Sequence, residues 1–287
     1  MVIRLLLALL VGVAMTVHAT DASPPIRVMS FNVRLPVESD GPNHWPMRRD
    51  LMIRTLRDAR PDLIGTQELF KMQGDAIVEQ LPEYAWFGIG RRGDGNDEND
   101  EHMGVFYRRD ALRLIESGDF WLSDTPDIPG SKSWDNLYPR MVTWGLFERS
   151  ADGHRFYLLN THLPYREQDG PARVRSAELI LQWLAELPAD MPVILVGDFN
   201  DQPGSPVYAT LAGTLRDAWV EAPSREGPDG TFHGFTGDPE ERIDWVFYRG
   251  LRPRQVQTLA DHEGQRYPSD HFPVLVEFDR ESGTSPD

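Results

Sequence analysis

The chain has 287 residues, 40% of them hydrophobic, and a formal net charge of −16 from 45 acidic and 29 basic side chains. That length and apolar share suffice for one large or two small folded domains and argue against wholesale disorder. The absence of cysteine excludes disulfides, thiolate metal sites, cysteine nucleophiles and lipoprotein acylation, and the acidic balance argues against duplex nucleic acid, whose binding is driven by Lys and Arg releasing counterions.

The first element in chain order is a leader. Arg4 precedes the apolar run Leu5 to Val13, and Val17-His18-Ala19 ends in the small-residue pattern that signal peptidase accepts. The apolar run is shorter than the ~20 residues that span a bilayer. The spacing therefore predicts a cleaved signal peptide over residues 1–19 and a periplasmic or secreted mature chain without a transmembrane span. Cleavage removes Arg4 and no acid, which takes the charge one unit below −16.

Past the leader, Ile26 to Val33 reads as a strand. Met52, Leu56 and Ala59 recur at helical spacing ahead of Pro61. Leu63 to Gln67 is a short apolar strand, and residues 71–81 read as a helix. Residues 90–102 are rich in Gly and acid and predict a loop, with Asp94, Asp97, Glu98, Asp100 and Glu101 in solvent. Gly104 to Arg108, Leu112 to Trp121, Met141 to Glu148 and Arg155 to Asn160 read as successive strands. Residues 171–187 give the clearest helix, with Val174, Ala177, Leu181 and Leu184 in one stripe and Pro171 near its start. Pro192 to Val196, Ile243 to Tyr248, Val256 to Leu259 and Phe272 to Phe278 complete the strands. This mixture predicts an α+β (α/β) fold of two mixed sheets face to face with helices outside, in a single domain over residues 20–287 with its core at 26–279.

Polar residues gather at the strand ends: Asn32, Glu68, His162, Asp198, Asn200, Asp244, and Asp270 with His271. Taken singly, each has an ordinary structural reading: a surface acid, an Asx turn, a satisfied histidine. Their recurrence at successive strand ends is what points to a site.

Six blocks carry a resemblance: Met29-Ser30-Phe31-Asn32, Gln67-Glu68, Asn160-Thr161-His162-Leu163, Gly197-Asp198-Phe199-Asn200, Arg242-Ile243-Asp244-Trp245 and Ser269-Asp270-His271. In this order they resemble the endonuclease/exonuclease/phosphatase superfamily, over about residues 26–279. The resemblance implies a four-layer α/β/β/α sandwich and metal-assisted hydrolysis of phosphate esters. Phe120 to Pro126, Gly130 to Trp134, Ala172-Arg173 and Thr231 to Phe235 are similar to a bacterial subgroup of that superfamily. Pro164-Tyr165 departs from the Asp-His that often follows Thr-His-Leu there, which puts that subgroup's substrate preference in doubt.

An all-oxygen ligand set suits a hard cation, Mg²⁺ or Mn²⁺ in its place, with Glu68, Asp270 and Asn32 as candidate ligands. By resemblance, Asp198 orients or deprotonates the attacking water and Asn200 holds the phosphate or that water. His271 stabilises charge at phosphorus, oriented by Asp244, and His162 donates to the phosphate or the leaving group. Arg140, at a strand start, is a candidate phosphate clamp. Arg173, at a helix start, is a candidate outward-facing substrate contact, and His233, between aromatics, a candidate pocket residue. Trp121 and Trp134 read as packing residues. The leading reading is an exported phosphoesterase of small or lipid-headgroup substrates, acting as a monomer. An extracellular nuclease is the alternative enzyme. A catalytically idle binding module is the alternative of another class, and it conflicts with the intact set of site residues.

Overall fold

The computed structural model describes residues 24–281, so the leader read over residues 1–19 lies outside the described residues. The elements begin β1 (Ile26–Asn32), α1 (Trp45–Ala59), β2 (Leu63–Gln67), α2 (Lys71–Gln80), β3 (Tyr84–Phe87), β4 (Val105–Arg108) and β5 (Leu112–Trp121). They continue β6 (Met141–Arg149), β7 (Arg155–His162), α3 (Gly170–Ala185), β8 (Val193–Asp198), α4 (Pro206–Ala212), β9 (Arg216–Asp217) and α5 (Ala218–Glu221). Last come β10 (Arg225–Glu226), β11 (Asp244–Arg249), β12 (Leu251–Thr258) and β13 (Val274–Arg280). Among the described residues no helix is long and apolar enough to cross a membrane.

Seven strands form one sheet in the order β10-β12-β13-β1-β2-β4-β3, and six form the other in the order β5-β6-β7-β8-β11-β9. Both sheets are mixed: β1 runs parallel to β2 and β7 parallel to β8, beside antiparallel neighbours. Successive side chains along a strand face opposite ways, and here both faces are apolar. In β1, Val28 enters the layer between the sheets, while Met29 and Phe31 face α1 and α2. In β8, Ile194 and Val196 face inward, while Val193 and Leu195 pack beneath α3 and α4. Three apolar layers between four layers of backbone make the expected α/β/β/α sandwich.

The sheets meet closely at Gly65. A Cβ there would come within 2.3 Å of Val196 Cγ2, so no larger residue fits without displacing β8. Two residues on, Gln67 Nε2 donates to Asn160 Oδ1 at 2.7 Å across the gap, tying the ends of β2 and β7 together beside the site.

Several elements differ from expectation. The strand β3, the helix α4 and the short pieces β9, α5 and β10 were not legible, because two to seven residues are too few to display a period. The start of α4 does follow rule: Ser205 caps it by accepting from Tyr208 N, and Pro206 follows. β12 starts at Leu251, five residues early, because Pro253 sits at a register irregularity where a strand tolerates proline. The acidic segment is not uniformly solvated. Asp100 is buried, its carboxylate accepting from Arg92 N and Glu101 N, and Glu101 pairs with Arg91 at 2.6 Å.

Candidate active site

The alternation that builds the inner apolar layer also builds the site. Along β7 the inward positions run Phe156, Leu158, Asn160, His162, and along β8 Ile194, Val196, Asp198. β1 reaches Asn32 on the same parity as Val28, and β11, running the other way, begins at Asp244 on the parity of Val246. Each row is apolar through the core and turns polar in its last one or two positions. Registry aligns these ends, with His162 and Asp244 each opposite Asp198. Because β13 is antiparallel to β1, the segment before it delivers Asp270 and His271 to the same edge.

Glu68 breaks the alternation. It follows inward-facing Gln67 but has φ of 57°, a left-handed conformation that non-glycine residues seldom adopt. Arg34 and Asn200, also lining the cavity, have φ of 56° and 51°. Such strained positions are held only where surrounding structure enforces them and tend to cluster at functional sites. At Glu68 the enforcement is visible: Oε2 accepts from Leu35 N at 3.0 Å and Oε1 from Asn32 Nδ2 at 3.2 Å.

Asp198 lies at the centre. Its Oδ2 accepts from Asn32 Nδ2 at 3.0 Å and stands 3.5 Å from His162 Nε2 and 3.8 Å from His271 Nε2. Its Oδ1 accepts from the Asn200 backbone at 3.0 Å. His271 Nδ1 donates to Asp244 Oδ2 at 2.8 Å, which fixes the ring and turns Nε2 toward Asp198. Burial, with Asp244 adding to it, pushes the Asp198 carboxyl up to about 7. Burial opposes the His271 imidazolium, but the Asp244 carboxylate, with Asp198 and Asp270 adding to it, holds the ring up at about 10. Burial, then Arg140 and Arg91, drives His162 well below the usual histidine range, so it is neutral.

His162, Asp198, Asn200 and His271 line a cavity of about 660 Å³ together with Arg34, Arg140, Tyr138, Tyr165 and Phe232. Arg140 is 4% exposed, yet among the described residues its guanidinium makes no hydrogen bond or ion pair, and Nη1 is wholly enclosed. An unpaired buried cation is costly, on the order of several kcal/mol.

Asp198, Asp244 and His271 bring three potential ligand atoms within 4.8 Å of one another, an acidic cluster able to hold a metal. The Asp244–His271 pair, however, already shares a proton through Nδ1, which leaves that nitrogen no lone pair to give. Glu68 and Asp270 suit a hard cation better. Both are carboxylates lining the cavity, and Asp270 is pushed up by burial and also by the Glu68 charge. A cation there relieves both penalties. Asn32 points its amide nitrogen at the carboxylates, and its oxygen accepts from Arg34 N at 3.0 Å, which departs from the expected oxygen ligand.

Two further expectations are corrected. Arg173 does not face outward: it is buried, donating to the carbonyls of Pro164 and Arg166 and to Asp201, each at 3.0 Å. It holds the loop that carries Tyr165. His233 does not line the cavity. It stacks on Phe272 with ring centroids 4.0 Å apart, and burial, then His271, lowers it to about 4. Sequence reasoning missed Arg34, Arg91, Glu101 and Tyr138. Arg34 lay two residues beyond a recognised block, but the others come from loops without periodicity.

The model of the Endonuclease/Exonuclease/phosphatase family matches residues 29–271. The chain belongs to this family. It is therefore a hydrolase of the phosphoesterase and nuclease type. A family protein from Bacteroides thetaiotaomicron is 35% identical in sequence, with a TM-score of 0.83 over 90% of this chain and 98% of that one. A mannosyl-6-phosphatase from the same organism is also 35% identical, with a TM-score of 0.81 over 88% of this chain and 99% of that one. Nocturnin of Drosophila melanogaster is 23% identical in an alignment 278 residues long that covers 82% of this chain and 42% of nocturnin. This chain thus spans less than half the length of that relative.

Proposed function

We propose that this family member is an exported, divalent-cation-dependent phosphatase of small phosphorylated sugars or sugar-like alcohols. The observation that carries the reading is Arg140, a buried cation without a partner among the described residues, facing a cavity beside His162 and Asp198. A phosphate group offsets its burial cost. The cavity volume suits a small ester, and the acidic chain repels long polyanions. The sugar class is supported by the 35% identity to a mannosyl-6-phosphatase over nearly its whole length. Export rests on the leader sequence.

Glu68 and Asp270 would hold Mg²⁺ or Mn²⁺, which when bound polarises phosphoryl oxygens and steadies the departing oxygen. Asp198 orients the attacking water and takes its proton; a carboxyl raised to about 7 is matched to that task near neutral pH. Water adds its oxygen to phosphorus, the ester P–O bond breaks, and the departing alkoxide takes up the proton that Asp198 removed from the water. His271, held by Asp244, keeps a positive Nε2–H where charge develops on the phosphoryl group. Neutral His162 hydrogen-bonds the ester. Asn200 fixes Asp198 through its backbone N–H, and Arg140 clamps the phosphate.

The test is a screen of mature protein against sugar phosphates, nucleotides, phosphoinositides, sphingomyelin and DNA, with Mg²⁺ and with EDTA. Sugar phosphates are expected to be hydrolysed fastest, with activity lost in EDTA and restored by Mg²⁺ or Mn²⁺. Preferential cleavage of DNA would overturn the substrate class, and full activity after exhaustive chelation would overturn the metal.

A further inference from the structure

Beside Arg140 the cavity wall carries an ion pair that the proposed hydrolysis does not use. Arg91 is 6% exposed, and its Nη2 lies 2.6 Å from Glu101 Oε1. Both residues line the cavity. The contact leaves much of each group unspent. Among the described residues Glu101 Oε2 and Arg91 Nε are enclosed without a hydrogen-bond partner, and Arg91 makes no other side-chain hydrogen bond.

The pair is held stiffly. Arg91 N donates to Glu101 O at 2.9 Å, and Trp121 Nε1 donates to Arg91 O at 2.6 Å. The Tyr138 ring lies 4.6 Å from the guanidinium carbon. Buried Asp100 ties the two sides of the loop together through Arg92 N and Glu101 N. A fixed pair keeps its donors and acceptors aimed without an ordering cost on binding.

The chemistry of the pair selects among ligand groups. A second phosphate or carboxylate meets the Glu101 charge, and an ammonium meets Arg91 and Arg140. A hydroxyl conflicts with neither, since it donates to a carboxylate oxygen and accepts from a guanidinium at once. We propose that Arg91 and Glu101 form a hydroxyl-recognising subsite that selects a polyhydroxylated leaving group next to the scissile phosphate. This rests on the phosphatase reading above and names the part of the substrate that lies beyond phosphorus.

The experiment compares mannose 6-phosphate with n-hexyl phosphate, which has the same six carbons and phosphate but no other hydroxyls. A site built to bond hydroxyls discriminates strongly against analogues that lack them, because its buried polar groups are left unpaired. The wild-type protein is expected to favour the sugar by about a hundredfold or more in kcat/KM. Glu101→Gln, and the double variant R91Q/E101Q that leaves no lone buried charge, are expected to reduce this preference at least about tenfold, as for one lost hydrogen bond to a charged group. Equal rates for the two esters with wild-type protein overturn the subsite, whatever the variants do. Variants that fold but lose both activities in proportion also overturn it, and assign the pair to positioning Arg140. If wild type hydrolyses neither ester, the phosphatase reading itself fails.

Discussion

The two walls of the cavity are built by different means. One wall, lined by His162, Asp198 and His271 with Asn32 and Asp244 bonded behind them, sits on or against paired strands, and its spacing is set by sheet registry. The other, with Arg91, Glu101, Tyr138 and Arg140, comes from loops and is organised by buried charge and local hydrogen bonds. The first carries interlocked acids and imidazoles whose proton affinities are set apart, as catalysis requires. The second carries cations and hydroxyl-bonding groups, as recognition requires. Rigid strands hold chemistry while loops set specificity, a division that other scaffolds share.

That comparison can be broken by mutation. The largest effects belong on the strand-borne wall. Asp198→Ala and His271→Ala are expected to lower kcat by about 10²–10⁴-fold, with cooperative melting retained; a kcat within tenfold of wild type removes them from the chemistry. Glu68→Gln is also expected to cost activity, but part should return at high Mg²⁺, because the variant keeps shape and loses one charge of the ion's shell. A loss that no Mg²⁺ concentration relieves argues against ligation.

Changes on the loop-borne wall are smaller and differ in kind. Arg140→Met should raise KM, while the free protein should become more stable by about 1 kcal/mol or more, since an unpaired buried cation is replaced by an apolar chain. Reduced thermal stability without substrate would mean that Arg140 is paired in solution. Off the cavity lining, burial pushes the Asp119 carboxyl up to about 6, against the hydrogen bond from Thr143. Its neutral form is favoured on folding, so its contribution is full below about pH 4 and is lost as pH rises through 6. Asp119→Asn should therefore gain on wild type in melting temperature from pH 4 to pH 7.5, with kcat unaltered. A pH-independent difference contradicts the raised value.

The same division explains what could be read from sequence. Near-continuous apolar runs mark β1, β7, β8 and β11 as buried on both faces, and the residues ending these runs stand out because the pattern turns polar there. Asn32, His162, Asp198 and Asp244 were visible for that reason. Glu68 was visible as the polar end of a short apolar strand, but its orientation depends on a left-handed backbone that strand periodicity does not encode. The burial of Arg173 and His233 could not be read, because each is set by contacts outside its own element: Arg173 with the loop before its helix and with Asp201, His233 with Phe272. Arg91 and Glu101 sit in a stretch whose composition signals solvent, and only the tertiary pairing of that loop encloses them.

The most direct test of the strand-borne catalytic wall is a double-mutant cycle on kcat between Asp244→Asn and His271→Ala. If Asp244 acts by holding the His271 ring through the 2.8 Å hydrogen bond, Asp244→Asn should cost little once His271 is gone, because groups that act as one unit are strongly non-additive. Losses that instead multiply as independent factors would contradict the pair and leave Asp244 with a separate role.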